Sequence, residues 1–308
     1  MGNTEPGSHA SSEQPGTFEQ HRTFEQQRTF ALAQGVPEQD LPRTPPPEGR
    51  HVLLDGAYNL RDVGGLAGPG GTRVTRGQLF RSDHLNELTD RDLATIARLG
   101  VRTVYDFRLD SEVERQPSRI PSSVERVVRL AAADGDGLDV AMVDVVRDML
   151  AGRRPLPSTG FWDENYRTML QNARAMFVGF VAGLAAGPGV SALPALCHCT
   201  GGKDRTGIAT SLVLELLGVD GDAIVDDFLL TNVYRTPHRV VALRDGLTTA
   251  GVNVADAIPV LGVSRSAITV ARAMIADDYG GAERYLLDGG LDLDAPRIIR
   301  DMLLEPAS

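Results

Sequence analysis

His198-Cys199-Thr200-Gly201-Gly202-Lys203-Asp204-Arg205-Thr206-Gly207 decides how this 308-residue chain is read. An apolar run, Ala192 to Cys197, leads into it, and a helical pattern, Thr206 to Leu217, leads out. Strand, tight loop and helix together aim backbone N–H groups at an anion. The loop opens on a cysteine and closes on an arginine six positions later.

Each residue type has a physical use there. A thiolate is a nucleophile, and a helix N-terminus lowers a cysteine pKa to about 3.5–7.5. The residues between Cys199 and Arg205 (Thr200, Gly201, Gly202, Lys203 and Asp204) can curl so that their N–H groups surround a phosphoryl group. Gly201 and Gly202 allow unusual dihedrals and close approach. Arg205 offers a planar fork for two oxygens, a task lysine does poorly. Thr206 is placed to give its hydroxyl to the sulfur, and His198 to brace the loop from behind. Lys203 is the only lysine in the chain, the other 30 basic residues being arginine. A compact ammonium there can reach a second anionic group or steer Asp204. A Walker A loop is excluded, because Asp204 rather than Ser or Thr follows the lysine.

The stretch resembles the Cys-x5-Arg signature of the protein tyrosine phosphatase superfamily. In its longer form it is similar to the bacterial tyrosine/serine and phosphoinositide phosphatases of the mycobacterial PtpB type. Asn59-Leu60-Arg61-Asp62-Val63-Gly64-Gly65, Leu79-Phe80-Arg81-Ser82 and Val104-Tyr105-Asp106-Phe107-Arg108 followed by Glu112 extend the likeness over roughly residues 51 to 304. The resemblance implies an α/β fold with a central, mostly parallel sheet flanked by helices. It implies a helical lid within 223–277, with Leu261, Val263, Met274 and Ile275 as lining or plain core. It also implies a general acid inside the loop, Asp204. Asp106 is the second choice and Asp163, beside the sole tryptophan Trp162, the third; no Trp-Pro-Asp sequence exists. Asp204 as a cap of the following helix is the structural alternative.

The chemistry implied is phosphate monoester hydrolysis through a phosphocysteine, with phosphorylated protein, phosphoinositide or a small phosphate ester as substrate. The alternatives are a phosphatase of a small phosphorylated metabolite, or a module that binds phospho-ligands without turnover. No cofactor is expected, and no His/Asp cluster has metal-ligand spacing. Asp106 and Arg108 fall at a strand's carboxyl end, where open α/β sheets face their ligands.

Composition limits the setting. A net charge of −10 argues against nucleic acid and against electrostatic membrane attachment. Two cysteines, Cys197 and Cys199, are too few for a disulfide framework and point to a reducing compartment, so a cytoplasmic location is expected. A bond between them could protect an oxidised Cys199; a buried apolar role is the plainer reading of Cys197. No signal peptide is visible, and the longest apolar stretch, Ala175 to Ala186, is too short to span a bilayer.

Residues 1–50 read as a disordered, low-complexity tail before a phosphatase domain at 51–308. The tail carries four Arg against seven Asp and Glu and is not needed for chemistry. Within it, Thr17-Phe18-Glu19-Gln20 recurs as Thr23-Phe24-Glu25-Gln26, with a short docking helix as the alternative. Strands are predicted at His51–Leu54, Gln78–Arg81, Val101–Phe107 and Val124–Leu130. Helices are predicted at Asp90–Leu99, Leu138–Leu150, Phe161–Ala186, Ala223–Tyr234, Pro237–Leu247, Ser266–Asp277, Gly280–Leu287 and Ala295–Leu304.

Overall fold

A computed structural model describes residues 22–131, 147–148, 153–155, 161–186 and 192–307. Alternation of side chains along the strands explains the layering. In β3 (Leu79–Ser82), β4 (Thr103–Asp106) and β6 (Ala195–His198), Phe80, Val104 and Leu196 face one apolar layer. Leu79, Tyr105, Ala195 and Cys197 face the other. Successive strand side chains point to opposite faces, so a sheet covered on both sides reads as a continuous apolar run.

The sheet order is β1-β3-β6-β4-β5, with β1 (Arg61–Asp62) antiparallel and β5 (Arg126–Arg129) parallel to β4. β6 is central and parallel to both neighbours, and Ser82, His198 and Asp106 lie in register at their carboxyl ends. This is the expected α/β arrangement. A separate antiparallel pair joins β2 (Thr72–Val74) to β7 (Leu304–Pro306). The strand expected at His51–Leu54 reduces to a bridge, His51 with Arg61.

α2 (Asp90–Arg98) begins at Thr89, whose hydroxyl accepts from the Asp92 N–H while Asp92 accepts from the Thr89 N–H. α3 (Asp110–Arg115) follows β4. The single helix expected at Phe161–Ala186 is two, α4 (Phe161–Asn172) and α5 (Arg174–Leu184), and the one expected at Leu138–Leu150 lies outside the described residues. After β6 come α6 (Arg205–Leu216), α7 (Gly221–Leu229), α8 (Thr231–Tyr234), α9 (Thr236–Thr249), α10 (Val254–Leu261), α11 (Arg265–Tyr279), α12 (Ala282–Asp288) and α13 (Ala295–Leu303). α10 was not anticipated, because Pro259 sits inside it. Val254–Tyr279 is long and apolar enough to cross a membrane by composition, which the sequence reading overlooked. It is two helices broken after Leu261, and half of its apolar window is buried in the body.

The expectation of a disordered segment over 1–50 fails for 22–50; residues 1–21 lie outside the described residues. Phe24–Ala33 is a helix, α1, started by a reciprocal Thr23–Gln26 cap. It packs on α8 and α9. Ala31, Val36 and Leu41 are buried. Asp226 of α7 accepts from the Arg43 and Thr44 N–H groups, and Asp40 accepts from the Arg265 N–H. This strap thereby ties α7, α9 and α11 to one another.

Candidate active site

The loop between β6 and α6 closes over the sulfur of Cys199, which is buried. The Gly202 N–H donates to Sγ at 3.2 Å. Gly202 has a φ of +60°, and a Cβ there would sit 2.3 Å from the Ser82 carbonyl oxygen, so only glycine fits. Gly201 shows no left-handed dihedral, so the two glycines are not equivalent as the sequence reading assumed.

Arg205 opens α6 and is held by a residue the sequence reading quoted but did not place in the site. Its Nη1 donates to Glu112 Oε2 at 2.6 Å and to the Phe107 carbonyl at 2.8 Å, and its Nη2 to Glu112 Oε1 at 2.9 Å. Glu112 also accepts from the Leu109 N–H and the Thr200 hydroxyl. Burial alone would raise the Glu112 pKa, but Arg205 and the hydrogen bonds more than offset it and bring it to about 2. Burial likewise opposes the Arg205 charge, and Glu112 raises its pKa above the ordinary value. A guanidinium has five N–H donors. Three are taken here, which leaves Nε–H and one Nη2–H on the same edge for a bidentate anion contact. An acid six residues beyond Asp106 was the signal available.

Lys203 is buried, its Nζ 3.0 Å from Asp204 Oδ2 and 4.6 Å from the centroid of the Trp162 ring. Burial lowers its pKa, and Asp204 works against that shift. Asp204 Oδ1 accepts from the Tyr166 hydroxyl at 2.8 Å. Burial first and the Asp204 carboxylate second push that phenol well above its usual pKa, so Tyr166 stays a donor. Asp204 stands at the N-cap of α6 without a side-chain cap bond, so capping does not explain it.

Asp106 is committed elsewhere: Arg108 grips it through Nε at 3.0 Å and Nη2 at 2.8 Å. Burial alone would raise its pKa, but His198 and Arg108 lower it. His198 lies behind the loop as expected, with Nδ1 3.3 Å from the Cys199 carbonyl and Nε2 3.8 Å from Asp106 Oδ2. Burial brings its pKa down to about 4. The Thr206 hydroxyl is buried without a hydrogen-bond partner, so the expected bond to sulfur is not made. Cys197 is buried, and burial pushes its thiol up to about 12. Two positions along an extended strand span roughly 6.6 Å, beyond the ~3.5–4.5 Å Cβ separation a disulfide needs.

Above the loop lies a small cavity of about 90 Å³, walled by Cys199, Asp204 and Arg205 below and Arg235, Val260 and Leu261 above. Of the three candidate acids, only Asp204 lines it. Arg235, at the junction of α8 and α9, and Arg239 of α9 were missed, since nothing local marks them. Val260 and Leu261 come from α10 and line the cavity from the core, whereas Met274 and Ile275 of α11 are core residues that do not line it. Among the described residues no group of acids, histidines and cysteines could hold a metal ion.

Residues 52–305 match the model of a tyrosine phosphatase family. The chain is 35% identical over 254 residues to a protein of Cupriavidus necator named as a tyrosine-protein phosphatase, covering 82% of this chain and 88% of that one. It is 33% identical over 283 residues to the triple specificity protein phosphatase PtpB of Mycobacterium tuberculosis, covering 82% and 98%. A tyrosine-protein phosphatase of Nostoc commune is 29% identical over 165 residues, covering 53% and 51%.

Proposed function

Because the chain belongs to the tyrosine phosphatase family, its bacterial PtpB-type branch, we propose that it hydrolyses phosphotyrosine and phosphoserine in proteins through a phosphocysteine on Cys199. The observation that carries this reading is the sulfur under a loop N–H, beside the unoccupied edge of Arg205.

In the first step the Cys199 sulfur bonds to phosphorus as the bond to the leaving oxygen breaks. Asp204 gives that oxygen its proton. Arg205 and the amides of Thr200 through Lys203 take up the charge on the equatorial oxygens. In the second step water bonds to phosphorus, the sulfur–phosphorus bond breaks, and Asp204 recovers a proton from the water. Glu112 keeps Arg205 aimed, while Tyr166 and Lys203 hold Asp204 over the cavity. Lys203 thus steers Asp204 rather than reaching a second anion.

A cavity of about 90 Å³ is far below the ~300 Å³ of a drug-sized ligand site. A protein-borne phosphoryl group therefore requires α9 and α10 to swing aside as a lid. The size of the covered cavity also supports the second reading, a small phosphate ester. Phosphoinositide activity is a further expectation of the same site, and the chain's two free thiols support a cytoplasmic place of action.

The test is turnover of an aryl phosphate with a chelator present, followed by rapid quench and mass analysis. The peptide bearing Cys199 is expected to gain one phosphoryl group, and Cys199→Ser to bind phosphate esters without turnover. Full activity in that variant would exclude the covalent route.

A further inference from the structure

Asn59 and Arg81 belong to two stretches singled out in the sequence, yet neither lines the cavity. Both touch the loop from beneath. Asn59 Nδ2 donates to the Gly202 carbonyl at 3.1 Å and lies 3.4 Å from the Gly201 carbonyl. Arg81 Nη2 donates to the same Gly202 carbonyl at 2.9 Å. A trans peptide points its C=O and N–H in opposite directions. Holding the Gly201 oxygen down therefore turns the Gly202 N–H up, and that N–H meets the Cys199 sulfur. Holding the Gly202 oxygen down turns up the Lys203 N–H.

The clamp is itself fixed. Arg61 Nη1 donates to Asn59 Oδ1 at 2.5 Å, which leaves the Asn59 amide nitrogen facing the loop. Arg81 Nη1 donates to Asp227 Oδ2 at 3.0 Å. Asn59, Arg61 and Arg81 are all buried.

We infer that Asn59 and Arg81 are positioning residues, which aim the Gly202 and Lys203 N–H groups by holding two carbonyls of the loop away from the cavity. The sulfur as target holds for any thiolate; the phosphoryl group as target rests on the phosphatase reading.

The experiment uses the full chain carrying Cys197→Ala, so that Cys199 is the only thiol. Asn59→Leu, Asn59→Ser and Arg81→Met are compared with this parent, with circular dichroism and thermal unfolding as checks on folding. Thr231→Val is the control, since it removes another Asn59 partner without touching the loop. The readout is the pH midpoint of Cys199 alkylation by iodoacetamide, together with kcat on an aryl phosphate. The groups facing the sulfur in this parent are Lys203, Asp204 and Arg205 of the loop, Tyr166 of α4 and Arg235 at the junction of α8 and α9. Asn59→Leu and Asn59→Ser alter none of these, so a moved midpoint in them reports the amides, whereas Arg81→Met also removes a charge that reaches Tyr166.

Asn59→Leu is expected to raise the midpoint by about one pH unit, because a hydrogen bond to the thiolate is lost. Its kcat should fall about tenfold, short of the ~10²–10³ lost when an oxyanion-hole donor is deleted. Asn59→Ser and Arg81→Met should shift it less in the same direction, and Thr231→Val not at all. Folded variants with an unmoved midpoint and a kcat within twofold of the parent would overturn the inference. So would failure of all three to fold, which would make the clamp a support of the body. If the parent hydrolyses no phosphate ester, the phosphatase reading fails, while the alkylation shift still decides the clamp.

Discussion

Arg205 gives one edge to Glu112, and on the proposed reading its other edge meets the phosphoryl group, so its fork rather than its charge is at stake. Arg205→Lys is expected to lower kcat/KM at least 100-fold on an aryl phosphate, since an ammonium cannot hold Glu112 and two oxygens together. Near-normal efficiency would leave Arg205 a structural role only. Asp204 and Asp106 separate by leaving group. Asp204→Asn should slow an alkyl phosphate far more than an activated aryl phosphate and flatten the basic limb of the pH–rate profile, because only a poor leaving group needs the proton. Asp106→Asn, loosened from Arg108, should slow both alike; the opposite pattern would move the acid to the strand end. Cys199, Lys203, Asp204 and Arg205 were legible because the loop is contiguous in sequence. Tyr166, Trp162 and Arg235 were not, because they arrive from helices whose own patterns read only as amphipathic packing.

At the scale of elements, apolar runs located β3, β4, β5 and β6, and the capping residue Thr89 located the start of α2. Those signals are local. The strap escaped for the opposite reason. Its composition is polar, and its order comes from side chains of α7 and α9 and a backbone N–H of α11 that accept or supply its hydrogen bonds from roughly 180 to 225 positions away. The earlier expectation that everything before residue 50 is dispensable therefore changes. Removing residues 1–21 should leave unfolding temperature and turnover unchanged. Removing 1–49 uncovers Val36 and Leu41's partners, and at about 1.5–3 kcal/mol per buried side chain should cost about 3–6 kcal/mol. Thermal unfolding of the two truncations decides it, and equal melting points would return the strap to a passive tail.

Taken as a whole, the molecule should weaken in acid in two stages. His198, ordinarily near 6.5, is brought to about 4 by burial, so the unfolded chain takes the proton first. Its contribution is complete above about 6.5 and is lost as pH falls toward 4, at about 1.4 kcal/mol per pH unit for one proton. Glu112, brought from 4.5 to about 2, gives a contribution lost as pH falls from 4.5 toward 2. For Asp227, burial favours the neutral acid, but Arg50, Arg61 and Arg81 hold it below its ordinary value, so its contribution is lost as pH falls below 3.8. Urea titrations from pH 7 to 3 should show the first stage, to which His51, also brought to about 4 by burial, and His84, lowered by burial, contribute as well, so His198→Gln should reduce it by one proton's share. Asp227 has one more consequence, for biosynthesis. One carboxylate from α7 ties Arg50 of the strap, Arg61 of β1 and Arg81 of β3, and Arg81 in turn holds the loop at Gly202. On the ribosome the three arginines emerge well over a hundred residues before their shared partner, seconds earlier at about 5–20 residues per second. A nascent chain halted before residue 227 already carries Cys199 and Arg205 but lacks the anchor that seats their loop.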